Sequence, residues 1–306
     1  YFFETSKSGS DNKVSDNDIL KILQESDDNE YRKKAWEASK EIGDQVADQV
    51  VEVVHLRNQA ATRLGYKNHY VMSLKLDEID YDYLFKTLDK LKELTDEPFR
   101  QEKGKLDKSL AKRFGIGVED LRPWHYADPF FQEAPSHDDV DLDHIFSDKD
   151  VVDMNIRFYD GIGLEVRDII ERSDLYAKEG KCQHAFCTDI DKEGDVRILC
   201  NIVPNEKWVG TTLHELGHAV YDKYLDPELP FYLRSPAHTM STEAVAMLMG
   251  RLTKSERWLV KIAEMSEEDY QVLHPSIKSQ ARLAMLIFVR WGLVMVNFER
   301  AMYDDP

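Results

Sequence analysis

Cysteine is scarce. The three residues, Cys182, Cys187 and Cys200, are odd in number and match no zinc-finger spacing. That pattern favours free thiols over one disulfide plus one thiol, and with them a reducing compartment, so the cytoplasm is the expected setting, with a periplasmic or secreted one left open. Positive charge is in deficit: 40 Lys and Arg face 58 Asp and Glu, a formal net charge of −18. Such a balance argues against nucleic acid or an anionic membrane as partner, and no basic run offers a local exception. Long hydrophobic runs are missing too. The longest, Leu283 to Phe298, is interrupted by Arg290 and is shorter than a bilayer span, so it reads as a buried helix. Internal repeats, low-complexity tracts and a signal-type segment are absent. What remains is an acidic chain of 306 residues, long enough for a substantial core.

Helical periodicity fills most of it. Residues 1–14 are largely polar and read as a loop or cut edge. Helix signals begin at Ser15 and Asp16. A long helix is predicted from about Asn29 to Leu64, with Trp36, Ile42, Val46, Val50, Val53 and Leu64 near a 3.6 spacing and Gly65 ending it. Another runs from Tyr81 to Phe114, with a kink or break expected near Pro98 and Gly104. The aromatic, proline-rich segment 121–135 either lines a cleft or plugs a helix junction, while His125 and His137 read as packing or surface residues. The acidic run 138–150 leads into a helix expected to be capped by Ser147. Strand signals appear only at 181–190 and 195–203, separated by the turn-forming run Asp191 to Gly194, so a small hairpin over 181–203 is predicted. A helix through Glu243 is expected to run towards Met265, and a last one to cover about Pro275 to Tyr303. The class is mainly α, with a small hairpin.

The organising stretch is His214-Glu215-Leu216-Gly217-His218, the HExxH pattern. On a helix, residues four apart share a face, so both imidazoles point the same way, as two ligands of one divalent zinc ion must. Glu215 can then take a proton from water beside the ion. A hydrolytic zinc needs a third protein ligand and an open position. Glu243 offers it: an acid within the apolar run Met240 to Met249, costly to bury unless paired or metal-bound. The alternative is a salt bridge to Arg234 or Arg251. The region 205–250 is thus the expected zinc-binding core, with one Zn2+ per chain. Cys187 reads as a packing thiol, because water at a metal already supplies a nucleophile.

These residues resemble the zinc peptidases related to angiotensin-converting enzyme, with thimet oligopeptidase and oligopeptidase F more distantly similar. The likeness rests on HELGHAVY from His214, on Glu243 in STEA, on the segment Gln183-His184-Ala185-Phe186-Cys187, and on AWEASKEIGDQV from Ala35 and PWHYADPFFQEAP. It spans roughly residues 30–305. The resemblance implies a zincin-type helical metallopeptidase whose deep, channel-like active site admits short unstructured peptides. It implies zinc ligation by His214, His218 and Glu243, general base and acid work by Glu215, and a substrate strand in which His184 and Ala185 hold the peptide main chain. The expected activity is that of a peptidyl-dipeptidase or an oligopeptidase. The alternatives are a zinc carboxypeptidase on a related helical fold and a non-catalytic zinc- or peptide-binding module.

Two departures stand out. Where the angiotensin-converting branch has an aspartate that steadies a zinc histidine, this chain has Met247, so another group must orient the imidazole. The tyrosine and histidine that stabilise the transition state in the family lie beyond the position of Pro306. Residues 1–306 are therefore expected to be a single but incomplete catalytic domain, completed by a further C-terminal segment or a second chain.

Overall fold

The computed structural model describes residues 2–4, 11–132 and 142–306, with the backbone alone for 2–4 and 11–13. Most of the chain is helical, and the mainly-α class with only small antiparallel two-stranded sheets holds. Contacts divide the chain into two compact units, 1–136 with 279–306, and 137–278, where the sequence reading takes 1–306 as one domain.

In the first unit, β1 (Phe2–Glu4) and β2 (Asp11–Lys13) pair antiparallel, Phe2 opposite Lys13. The reading of 1–14 as a polar loop is corrected at these positions, since a backbone ladder forms with polar side chains as well as apolar ones. Helix α1 (Asp16–Glu25) starts at a reciprocal cap: the Ser15 hydroxyl accepts from the Asp18 amide, and the Asp18 carboxylate accepts from the Ser15 amide. Its Ile19 and Leu23, one turn apart, are buried with Ala35 and Ala38 of α2 (Asn29–Arg63). The stripe expected to pack along α2 splits. Trp36 joins this core, but Ile42, Val46, Val50 and Val53 are 41–54% exposed. Periodicity fixes which residues share a face, not whether a neighbour covers it.

Helices α3 (His69–Leu76) and α4 (Tyr81–Phe114) follow. Gly115 ends α4 at a φ of 64°, the left-handed conformation glycine adopts without steric cost. Pro98 lies inside α4 without breaking it. Residues 121–132 plug a helix junction, the second of the two expected roles for that segment. The buried Arg32 donates to the carbonyls of Ser26, Trp124 and Tyr126, and the Trp36 indole donates to Pro129. His125 is buried against the Phe114 ring, a packing residue as expected. His137 and the acidic residues up to 141 lie outside the described residues.

The second unit carries α5 (Asp143–Phe146), α6 (Val151–Gly161), α7 (Arg167–Arg172), β3 (Phe186–Asp189), β4 (Val196–Leu199), α8 (Glu206–Lys223), α9 (Thr239–Gly250) and α10 (Glu256–Lys261). Asp150, not Ser147, caps α6; the Ser147 hydroxyl donates instead to the His144 carbonyl. One core joins Phe146, Met154, Ile169, Val196, Ile198, Leu213, Leu216 and Leu259, with α8 through its centre. The hairpin is shorter than its sequence signal, with Phe186 opposite Leu199 and Asp189 opposite Val196. The other edge of β4 is taken by Asp174, whose amide donates to the Ile198 carbonyl and whose carbonyl accepts from the Cys200 amide. Among the described residues no strand pairs with the outer edge of β3.

The helix through Glu243 does not reach Met265. It stops at Gly250, turns through Arg251–Lys254 and restarts as α10, which Ser255 caps. The turn is held by Thr253, whose hydroxyl donates to Glu206 at 2.7 Å. The last helix, α11 (Glu267–Asp304), belongs to the second unit at its start and to the first at its end. It begins before the expected Pro275, because the Ser266 hydroxyl accepts from the Asp269 amide as an N-terminal cap. By length and composition alone α11 could cross a membrane, which for a single helix is weak evidence. The expectation of a buried helix is corrected: 22% of its most apolar window is buried, and Val294 and Phe298 are more than 60% exposed. Arg290 within it donates to Asp96 and Thr95 of α4.

Candidate metal centre

Helix α8 starts at Asn205, whose side-chain oxygen accepts from the Trp208 amide at 2.9 Å. The histidine motif lies further in, where the backbone groups are spent on the helix itself. Leu213, Leu216, Ala219 and Val220 bury one face of α8 in the core. Beneath it, the Tyr159 hydroxyl donates to the Leu213 carbonyl at 2.6 Å, next to His214. The opposite face carries His214 and His218, both half-buried, with Glu215 only 7% exposed.

Glu243 arrives on α9, and small residues let it come close. A Cβ on Gly217 would stand 2.7 Å from Ala246 Cα; one on Gly250 would stand 3.1 Å from the Gly210 carbonyl oxygen and 3.3 Å from His214 Cβ. The two helices therefore touch backbone to backbone, which brings a carboxylate from one into reach of two imidazoles on the other.

The Nε2 atoms of His214 and His218 lie 3.2 Å apart. Glu243 Oε2 is 3.6 Å from His214 Nε2, and Oε1 is 3.7 Å from His218 Nε2. A tetrahedral ion with bonds of about 2.0–2.1 Å places neighbouring donors roughly 3.3–3.4 Å apart, so this set fits an ion of the size of zinc. Two neutral nitrogens and one carboxylate also match its preferred donors. The arginine alternative for Glu243 is not realised: Arg234 pairs with Glu193 at 3.3 Å, and among the described residues no arginine pairs with Glu243.

Electrostatics suit the assignment. Burial, then the proximity of His218, hold His214 below its ordinary value against the raising charge of Glu243, so the imidazole is neutral, as ligation requires. Burial, then the charge of Glu243, push the Glu215 carboxyl up to about 7. A divalent cation held beside Glu243 would offset that second cause. His218 Nδ1 lies 2.8 Å from the Thr242 hydroxyl. With Nδ1 protonated and donating to Thr242, the lone pair is left on Nε2, facing His214 and Glu243. Were an ion held there, Thr242 would fill the orienting role that Met247 leaves empty, from the residue directly before Glu243.

A cavity of about 470 Å3 opens at these groups, lined by His214, Glu215, His218, Asp222, Pro236, Thr242 and Glu243, with Ala185, Phe186 and Cys187 from the hairpin side. Of the two expected substrate-strand residues, Ala185 lines the cavity; His184 is exposed, does not line it and precedes β3. Cys187 is half-buried, and burial, then the charges of Asp222, Glu215 and Asp189, push its thiol well above the usual range, which keeps it protonated and inert, as a packing thiol should be. Sequence reasoning missed Thr242, Asp222 and Pro236. Asp222 had a usable signal, standing four residues past His218 on the same helix face; Pro236 had none, because only the loop's path brings it there.

Residues 22–304 match a family model described as peptidase family M3. No match is found among curated proteins.

Proposed function

The chain belongs to peptidase family M3, a family of metallopeptidases, and on that premise we propose that it is a zinc peptidase acting on short, unstructured peptides. One observation carries the reading: three metal-donor side chains, a buried carboxylate and an open strand edge converge on one cavity. His214, His218 and Glu243 would hold one zinc ion. When bound, the ion supplies Lewis acidity, polarising the scissile carbonyl and acidifying water.

The protein's own groups do the rest. Glu215, buried in the cavity wall, takes a proton from the attacking water and then hands it to the amine that leaves. The outer edge of β3, with Ala185 just before it, offers backbone groups to a peptide that adds to it as a further strand with its scissile bond towards Glu215. Thr242 keeps His218 in the ligating orientation. The finer reading is either release of C-terminal dipeptides or internal cleavage, the two activities that the family likeness implies. A reducing compartment such as the cytoplasm is the proposed setting, in keeping with three free thiols.

The test is mass spectrometry of the products from one unstructured ten-residue peptide, with and without chelator. Chelator-sensitive cleavage supports the reading; dipeptides from the C-terminus select the peptidyl-dipeptidase form, and internal cuts the oligopeptidase form. Glu215→Gln should lower the rate about 10²–10⁴-fold with zinc still bound. Full activity in that variant would refute the assigned base.

A further inference from the structure

One acid in the cavity wall has no part in the chemistry above. Asp222 stands one turn beyond His218 on α8, so it faces the same side of the helix, and it lines the same cavity as the metal donors. Its Oδ1 is fully enclosed and has no hydrogen-bond partner. The neighbouring lysine does not serve it: Lys223 reaches away to Asp168 and to the Glu165 carbonyl, each at 2.7 Å. Among the described residues no lysine or arginine lines the cavity.

The charges then do not balance. A divalent ion, if held by the three donors, would offset Glu243 and Glu215, and the neutral histidines add nothing, so Asp222 would be left as a surplus negative charge beside the reaction site. A part-buried carboxylate with one oxygen enclosed and unpaired is unfavourable, and removal of water by a bound ligand makes it more so. Asp189 on β3 adds field of the same sign. Burial, then Asp189, raise the Asp222 carboxyl to about 6, which leaves it ionised at neutral pH. The missing counter-charge has room to come from the ligand, because the cavity is large enough for a side chain.

We propose that Asp222 forms a subsite for a cationic nitrogen of the peptide, either a lysine or arginine side chain or a free N-terminal ammonium. The proposal rests on the peptidase reading and adds a substrate class to it. A charge-assisted hydrogen bond of this kind discriminates roughly ten-fold between a cation and an uncharged group of the same shape.

The experiment uses N-acetylated ten-residue peptides with one lysine moved through successive positions, each paired with its norleucine counterpart, plus the all-norleucine peptide with a free amino terminus. Cleavage is read as kcat/KM for each pair in the wild-type, Asp222→Asn and Asp222→Lys proteins. The expected result is about a ten-fold preference for lysine at one register, or for the free amine, brought close to one in Asp222→Asn. Asp222→Lys should turn the preference at that register towards norleucine. A wild-type ratio near one, or one that persists in both variants, overturns the subsite while leaving the peptidase reading intact. If the wild-type protein cuts none of the peptides, the peptidase reading fails, and calorimetric binding of the same pairs decides the subsite. A lysine–norleucine difference in Kd that Asp222→Asn abolishes supports it, and no difference overturns it.

Discussion

Replacing Gly217 by alanine adds one methyl group at the tightest point between α8 and α9. The new Cβ would lie 2.7 Å from Ala246 Cα, 3.3 Å from its amide nitrogen and 3.4 Å from Met249 Cγ. Carbon atoms rest about 3.5–4.0 Å apart, so roughly 1 Å must be found. Met249 can swing aside, but Ala246 presents backbone, so α9 itself has to move. Glu243 is one turn from Ala246 on that helix and moves with it, whereas metal–ligand distances tolerate only about ±0.2 Å. Overpacking of this kind costs about 1–3 kcal/mol, partly offset by the gain of about 1 kcal/mol that alanine brings to a helix interior. The expected net effect is a loss of up to about 2 kcal/mol, with Tm lowered by up to roughly 8 °C. Zinc affinity, measured by competition with a chelating dye, should fall at least ten-fold. Gly210→Ala is the internal comparison. Its new Cβ has nothing nearer than the Gly250 carbonyl oxygen at 3.4 Å, so it should keep its zinc affinity and gain or hold Tm. If Gly217→Ala behaves like Gly210→Ala in both measurements, the helices are not in backbone contact there and the account of how Glu243 is placed is wrong.

Thr242→Val removes the hydroxyl on His218 Nδ1 while keeping the shape of the side chain. Zinc affinity should fall about 10–100-fold with little change in Tm, and Thr242→Ser should recover most of it; equal affinity in all three proteins would deny Thr242 an orienting role. The three thiols should alkylate very unequally at pH 8. Cys182 is exposed and should react first. The Cys187 thiol is pushed up, chiefly by burial, and that of Cys200 is raised to about 12 for the same first reason, so both stay protonated and should react only once the chain unfolds. Peptide mapping that found Cys187 or Cys200 labelled as fast as Cys182 in the folded protein would contradict their placement.

What the sequence made legible was what short-range geometry decides. The spacing of His214 and His218 put both imidazoles on one face because a helix turn is 3.6 residues long. The span from Tyr81 to Phe114 was legible as α4, and the run from Asp191 to Gly194 marked the turn of the hairpin. Glu243 stood out as an acid among apolar neighbours, and the structure brings it to both histidines. What stayed hidden depends on which element lies beside which. Ile42, Val46, Val50 and Val53 keep helical spacing yet are exposed, since periodicity says nothing of a covering neighbour. Gly250 ends α9 where apolar spacing alone would carry the helix on, and its lack of a side chain serves the contact with Gly210 and His214. Thr242 and Asp222 are ordinary polar residues in one dimension; only the approach of the two helices and the hairpin gives each of them something to face.

The glycine contact between α8 and α9 also decides what the ion is for. In a small zinc finger, ligation supplies the folding energy, so the apo chain has no site to return to. Here the approach of the donors is set by backbone touching backbone. An ion held there would be a replaceable part rather than a rivet. On this account a chain stripped of such an ion should keep its helices in place, and reloading it should need no refolding step.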